Sequence, residues 1–144
     1  MKNASFWKFF NTEAHPKLSV RAPTFRKVFE YLDKLSGPLT IVETGCARIA
    51  GNWLGDGQST LLFDRYISAR DSDSTCLTVD ISESSVAACR ALVSSRVAVS
   101  HRDSVAFLAI FRANSPRAEE RSIFSTSTRS TSTRSTGSRR QSII

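Results

Sequence analysis

Histidine is nearly absent from this chain: among 144 residues only His15 and His101 occur, and neither sits in a cluster with metal-ligand spacing. No convincing general base is visible, and the two read as a surface residue and a strand-end residue. Cys46, Cys76 and Cys89 are odd in number and share no C-x-x-C spacing. That speaks against a disulfide framework or a paired redox motif and leaves reduced thiols of a cytoplasmic protein as the expectation. Long hydrophobic runs are missing too. The nearest, Phe6-Trp7-Lys8-Phe9-Phe10, is broken by a lysine and followed at once by polar residues, too short and too charged for a signal sequence or a membrane span. The body of the chain also has no basic stripe with interleaved aromatics. The formal charge of +7 comes mostly from the end: residues 112–144 hold seven Arg against two Glu, whereas residues 1–111 hold thirteen Lys and Arg against eleven Asp and Glu. Nucleic acid is therefore not the expected partner of the folded part, and the length allows one domain at most.

What the chain does have is one stretch around which the rest is arranged. Leu39-Thr40-Ile41-Val42 is a short β-branched run closed by Glu43, with Gly45 two positions later. Gly51, Gly55 and Gly57 fall in the loop that follows, and Ser59-Thr60-Leu61-Leu62-Phe63 reads as a helix start. A buried parallel strand favours an unbroken apolar run. Glycine allows positive φ or close approach to a ligand, and a helix N-terminus offers free N–H groups. Strand, glycine-rich turn and helix together open a nucleotide-binding βαβ unit.

The spacing is not the compressed G-x-G-x-x-G of dinucleotide enzymes, because an insertion with Asn52 and Trp53 separates Gly45 from Gly57. The stretch Glu43-Thr44-Gly45-Cys46-Ala47-Arg48, then Gly51-Asn52-Trp53, then Gly55-Asp56-Gly57-Gln58-Ser59-Thr60 resembles motif I of the class I S-adenosylmethionine-dependent methyltransferases. Its long form is similar to a bacterial small-molecule, O-methyltransferase-like subgroup. The resemblance implies S-adenosylmethionine as cofactor and a small-molecule methyl acceptor. It places Glu43 and the backbone at Gly45 beside the methionine part of the cofactor, counts Cys46 among the cofactor-binding residues, and has Gly55, Gly57 and Ser59 shape the loop.

Around this stretch the elements alternate. Phe25, Val28, Phe29, Leu32 and Leu35 form an apolar stripe at helical spacing, with Pro23 and Thr24 at its start and Gly37-Pro38 at its stop. Before it, the aromatics Phe6 to Phe10 suit one amphipathic turn, and Pro16 and Pro23 bracket an expected linker. Leu62, Phe63, Tyr66 and Ile67 give the buried face of the next helix, and residues 68–74 read as a polar surface turn. Thr75 to Val79 repeats the apolar run closed by an acid, Asp80, about 20 residues beyond Gly57, the spacing at which a carboxylate accepts from a ribose. The alternative for Asp80 is a helix N-cap. Val86, Cys89, Arg90 and Val93 mark a further helix, residues 96–100 a third strand, and Val105, Leu108 and Phe111 the helix after it. Asp103 and Ser104 resemble the methyltransferase position that contacts the adenine amino group, and either also suits a cap. The pattern is that of an α/β, Rossmann-like parallel sheet with flanking helices, about three strands being readable.

From about Asn114 the pattern fails. Residues 122–138 hold twelve Ser or Thr in seventeen positions, without apolar period, the composition of a disordered segment. Ser/Thr/Arg repeats also translate very differently one base over, and residues 122–128 can then become an apolar run closed by an acid, where a methyltransferase has its fourth strand. A frameshift between about Phe111 and Arg121 is thus expected, checkable in the nucleotide sequence across codons 105–144. The organisation expected is an N-terminal segment 1–22, a partial, C-terminally truncated cofactor-binding domain 23–112, and a disordered tail 113–144. The function expected is methyl transfer. An NAD-type Rossmann oxidoreductase fragment, and a non-enzymatic protein that binds anions or nucleic acid through its basic tail, are the alternatives.

Overall fold

The computed structural model of the chain describes residues 3–55, 58–70, 73–114 and 141–143. Its elements run α1 (Ala4–Phe9), a π-helical turn (Phe10–Ala14), α2 (His15–Leu18), a 3-10 turn (Ser19–Arg21), α3 (Ala22–Lys34), β1 (Leu39–Thr44), α4 (Ser59–Arg70), β2 (Thr75–Asp80), α5 (Glu83–Leu92), β3 (Val97–His101), α6 (Ser104–Ala113) and β4 (Gln141–Ile143). The strands lie in the order β3-β2-β1-β4, and every pairing is parallel. This is the Rossmann-like α/β arrangement, in which the strand order reverses beside β1, the position at whose carboxyl end sheets of this kind generally bind ligands.

One face of the sheet carries the core. Register sets Ile41 beside Cys76 and Cys76 beside Val97, and side chains two apart share a face. Leu62, Tyr66 and Ile67 of α4 and Val86 and Cys89 of α5 close over these strands. The other face is thinner: Val42 and Val79 are buried, but Leu77 is half-buried and Ala98 exposed. Although α6 is rich in apolar residues, it buries none fully, and Val105 and Ile110 are exposed.

The N-terminal segment departs from expectation. It is no single turn followed by a linker but a nearly continuous helical arm from Ala4 to Arg21. Pro16 sits in the first turn of α2, where its missing N–H is needed least. Phe6 and Phe10 are fully buried, and Phe6 lies 4.5 Å from Phe29 and 5.0 Å from Tyr66 between ring centroids. The Asp33 carboxylate fastens the arm, accepting from Asn3 Nδ2 at 2.6 Å, Trp7 Nε1 at 2.7 Å and the Tyr66 hydroxyl at 2.8 Å. His15 is exposed, as expected.

A second departure is Arg70, expected in a surface turn. It ends α4 instead, and its guanidinium donates to the carbonyls of Leu32 at 3.1 Å, Leu35 at 2.6 Å and Gly37 at 3.0 Å, satisfying acceptors at the end of α3. Of the tail expected from residue 113, α6 takes Ala113 and residues 141–143 form β4 beside Leu39–Ile41. The proposed out-of-frame strand at residues 122–128 lies outside the described residues.

Candidate functional site

At the carboxyl end of β1 the chain turns on Gly45, at φ +80°, a conformation that a side chain disfavours. Its N–H donates to the Val79 carbonyl at 2.7 Å, and its own carbonyl accepts from the Thr78 hydroxyl at 3.0 Å. The ends of β1 and β2 are thereby locked together. The space in front of the Gly45 Cα is open, with no atom within 4 Å of where a Cβ would stand.

Asp80 faces this turn from the end of β2. One oxygen accepts from the Cys46 backbone N–H at 3.3 Å and the other from the Ser82 N–H at 2.8 Å. The Ser82 bond, then that of Cys46, holds the Asp80 carboxyl below its usual pKa against the opposing effect of partial burial. Asp80 is therefore an ionised acceptor whose remaining lone pairs are available to hydroxyl donors. It is not the cap of α5, for that role falls to Ser82, whose side chain accepts from Ser85 N–H at 3.3 Å.

Glu43, at the end of β1, is bonded to the start of α4. Its Oε1 accepts from the Ser59 hydroxyl at 2.5 Å and its Oε2 from Thr60 at 2.7 Å, so both oxygens are engaged inside the protein. The Thr60 hydroxyl oxygen also accepts from Ala47 N–H at 2.9 Å. Glu43, Ser59 and Thr60 thus pin the N-terminus of α4 to the end of β1 and set the frame of the loop. Gly55 donates to Asn52 Oδ1 at 3.1 Å, and a Cβ there would come within 2.8 Å of the Asn52 side chain. Gly57 lies outside the described residues. Buried Gln58 adopts φ +52° and donates to the Ile49 carbonyl at 2.8 Å.

At the end of β3, Asp103 caps α6 by accepting from Ala106 N–H at 2.9 Å, and Ser104 is the first helical residue. Asp103 is exposed. His101 pairs with Asp80 across the ladder, and its Nε2 is 2.8 Å from the Ile81 carbonyl. The structure thus brings Cys46 into contact with Asp80 and ties Gly45 to Thr78 and Val79 just before it, with Asp103 on the loop that follows the neighbouring strand.

The three thiols are free and buried. Desolvation foremost pushes Cys46 up to about 12, and burial likewise raises Cys76 and Cys89. Such thiols are poor nucleophiles; Cys46 meets Asp80 through its backbone N–H at 3.3 Å and its thiol at 3.8 Å.

Sequence reasoning passed over a rim of apolar side chains. Ile49 (60% exposed), Leu54 (76%), Ile81 (73%) and Val105 (75%) all follow strand carboxyl ends, while large apolar residues elsewhere are mostly buried. Two clefts lie away from these ends. One of about 450 Å³ is lined by Trp7, Asn11, Arg26, Glu30, Asp33 and Lys34, and one of about 190 Å³ by residues of α1 and α4 including Phe9 and Arg65. The larger is an open groove on the helical arm, and its Asp33 is already taken by three donors. Among the described residues no group of three or more His, Cys, Asp or Glu could hold a metal ion, and no helix is long and apolar enough to cross a membrane. No family model, curated protein or solved structure matches the chain.

Proposed function

We propose that the strand-end crevice binds S-adenosylmethionine and that the chain carries the cofactor-binding part of a methyltransferase acting on a small-molecule acceptor. One observation carries this reading: the ionised Asp80, held by Cys46 and Ser82 N–H groups, stands beside the open space at Gly45. The donor set suits an adenosyl group. Asp80 offers two oxygens to the vicinal hydroxyls of a ribose, Gly45 leaves room for a chain beside the backbone, and Ile81 and Val105 offer apolar contact to a purine. The cofactor supplies an electrophilic methyl group on a sulfonium. The protein's part is to hold it in orientation, since much of such a displacement is gained by positioning. Glu43, Ser59 and Thr60 keep the loop frame fixed, and Asp103 caps α6 on the loop after β3.

Asp80 would serve an NAD ribose equally well, so the test is comparative. Titration calorimetry of the chain with S-adenosylmethionine, S-adenosylhomocysteine and NAD is expected to show binding of the first two, weakened about tenfold or more in Asp80→Ala, and none of NAD. Binding of NAD alone would assign the crevice to a dinucleotide, and binding of no ligand would remove the proposal.

A further inference from the structure

The β1–α4 loop is held from outside the sheet. Arg21, in the 3-10 turn after α2, donates from Nη2 to the Trp53 carbonyl and to the Leu54 carbonyl, the latter at 2.9 Å. The Lys17 ammonium lies 5.6 Å from the centroid of the Trp53 ring, which is half-buried against the core. Within Ile49–Gly55 the described bonds are local: Asn52 N–H to Ile49 O at 3.3 Å, Trp53 N–H to Gly51 O at 3.0 Å and Gly55 N–H to Asn52 Oδ1 at 3.1 Å. These shape the segment but do not place it. Among the described contacts that reach it from other elements are Gln58, which donates to the Ile49 carbonyl from the α4 side, and the pair Arg21 and Lys17 from the helical arm. Hydrogen bonds from a guanidinium are the stronger kind, and both Arg21 acceptors lie more than thirty residues away in sequence.

We propose that Arg21 is a positioning residue of the strand-end site: it fixes Ile49–Gly55 relative to Gly45 and Asp80, so that affinity for an adenosyl ligand depends on a side chain of the N-terminal arm. This rests on the function proposed above. A lysine at position 21 keeps the charge and several N–H donors on one nitrogen but not the planar, pre-organised guanidinium, so it should restore the segment only in part.

The test uses the full chain and compares wild type, Arg21→Ala and Arg21→Lys. Hydrogen exchange without ligand reads the segment, thermal unfolding reads the whole fold, and calorimetry with S-adenosylhomocysteine reads the site. Expected in Arg21→Ala are about tenfold faster exchange confined to residues 49–55, little change in Tm, and about tenfold weaker binding. Arg21→Lys should fall between the two. Unchanged exchange in Arg21→Ala, or faster exchange with wild-type affinity, overturns the proposal. If Arg21→Ala fails to fold, Arg21→Lys decides: wild-type exchange and affinity in it overturn the proposal, and a partial loss of both upholds it. A wild type that binds no S-adenosylhomocysteine overturns the functional reading and this proposal's ligand claim with it, while exchange still reports whether Arg21 holds the segment.

Discussion

Replacing Asp33 by alanine should destabilise the protein by about 3 kcal/mol, more than any single loss at the strand ends. The carboxylate is the common acceptor for Asn3, Trp7 and Tyr66 and joins α1, α3 and α4. Tyr66 is 0% exposed and cannot turn its hydroxyl to water when the acceptor is removed, and Trp7, 8% exposed at the wall of the groove, is only partly rehydrated. Each buried donor left without a partner costs roughly 1–3 kcal/mol. Asn3 is half-buried and rehydrates, so it adds little. Tyr66 keeps the Arg70 donor on its oxygen at 3.2 Å, and only its proton is orphaned. Burial and then Asp33 raise the Tyr66 pKa, in keeping with a hydroxyl that donates to a carboxylate. Urea unfolding followed by far-UV circular dichroism measures the loss directly, and a Tm drop of roughly 10 °C is its thermal equivalent for a chain of this size. Trp7→Phe removes one of the three donors, so the double variant with Asp33→Ala should show a coupling of about 1 kcal/mol. A loss below about 0.5 kcal/mol in Asp33→Ala, the range of an ordinary surface change, with additive behaviour in the double variant, would refute the idea that this carboxylate docks the arm.

Three further outcomes follow from the site. Glu43→Ala leaves the Ser59 and Thr60 hydroxyls without their acceptor and should lower stability by about 1–2 kcal/mol in the same urea assay. Asp80 has a folded pKa below its ordinary value of 3.8, so its ionised form contributes stability above that value and loses it as pH falls through the folded pKa. Asp80→Asn should accordingly flatten the pH dependence of unfolding below about pH 4, and an identical acid limb in the variant contradicts the assignment. At pH 8 a thiol at about 12, as for Cys46, is thiolate in only ~1 molecule in 10⁴, against roughly one in four for an ordinary cysteine. Native protein should therefore react with an aromatic disulfide reagent at least a hundredfold more slowly than unfolded protein, and a rapid single equivalent would show an accessible thiol.

How far the sequence could be read depended on whether the ordering signal was local. The stripe Phe25 to Leu35 and the runs Leu39–Val42 and Thr75–Val79 carry their own periods, and they stand as α3, β1 and β2. Pro16 misled because a proline reads as a break, whereas the helix restarts on it after a π-helical turn that no local period announces. Arg70 looked like a turn residue because its partners, the last carbonyls of α3, lie more than thirty positions away. At the site the strand-end acids were visible but not their orientation. Glu43 had hydroxyl residues sixteen and seventeen positions on, and nothing in the spacing says whether its oxygens meet them or a ligand. Asp80 and Asp103 each suited a ligand contact or a cap; the cap of α5 is Ser82 and not Asp80, and the cap of α6 is Asp103. The rim of Ile49, Leu54 and Ile81 escaped notice because isolated apolar residues in loops have no period.

If Gly45, Cys46 and Asp80 line one adenosyl-binding crevice, S-adenosylmethionine will perturb them together in an amide chemical-shift titration of the isotopically labelled chain. Saturable shifts are expected at Gly45, Cys46, Ile81, Ser82 and residues 102–104. Shifts centred instead on Trp7, Asn11 and Arg26 in the groove of the helical arm, or no shifts at millimolar ligand, would contradict such a crevice.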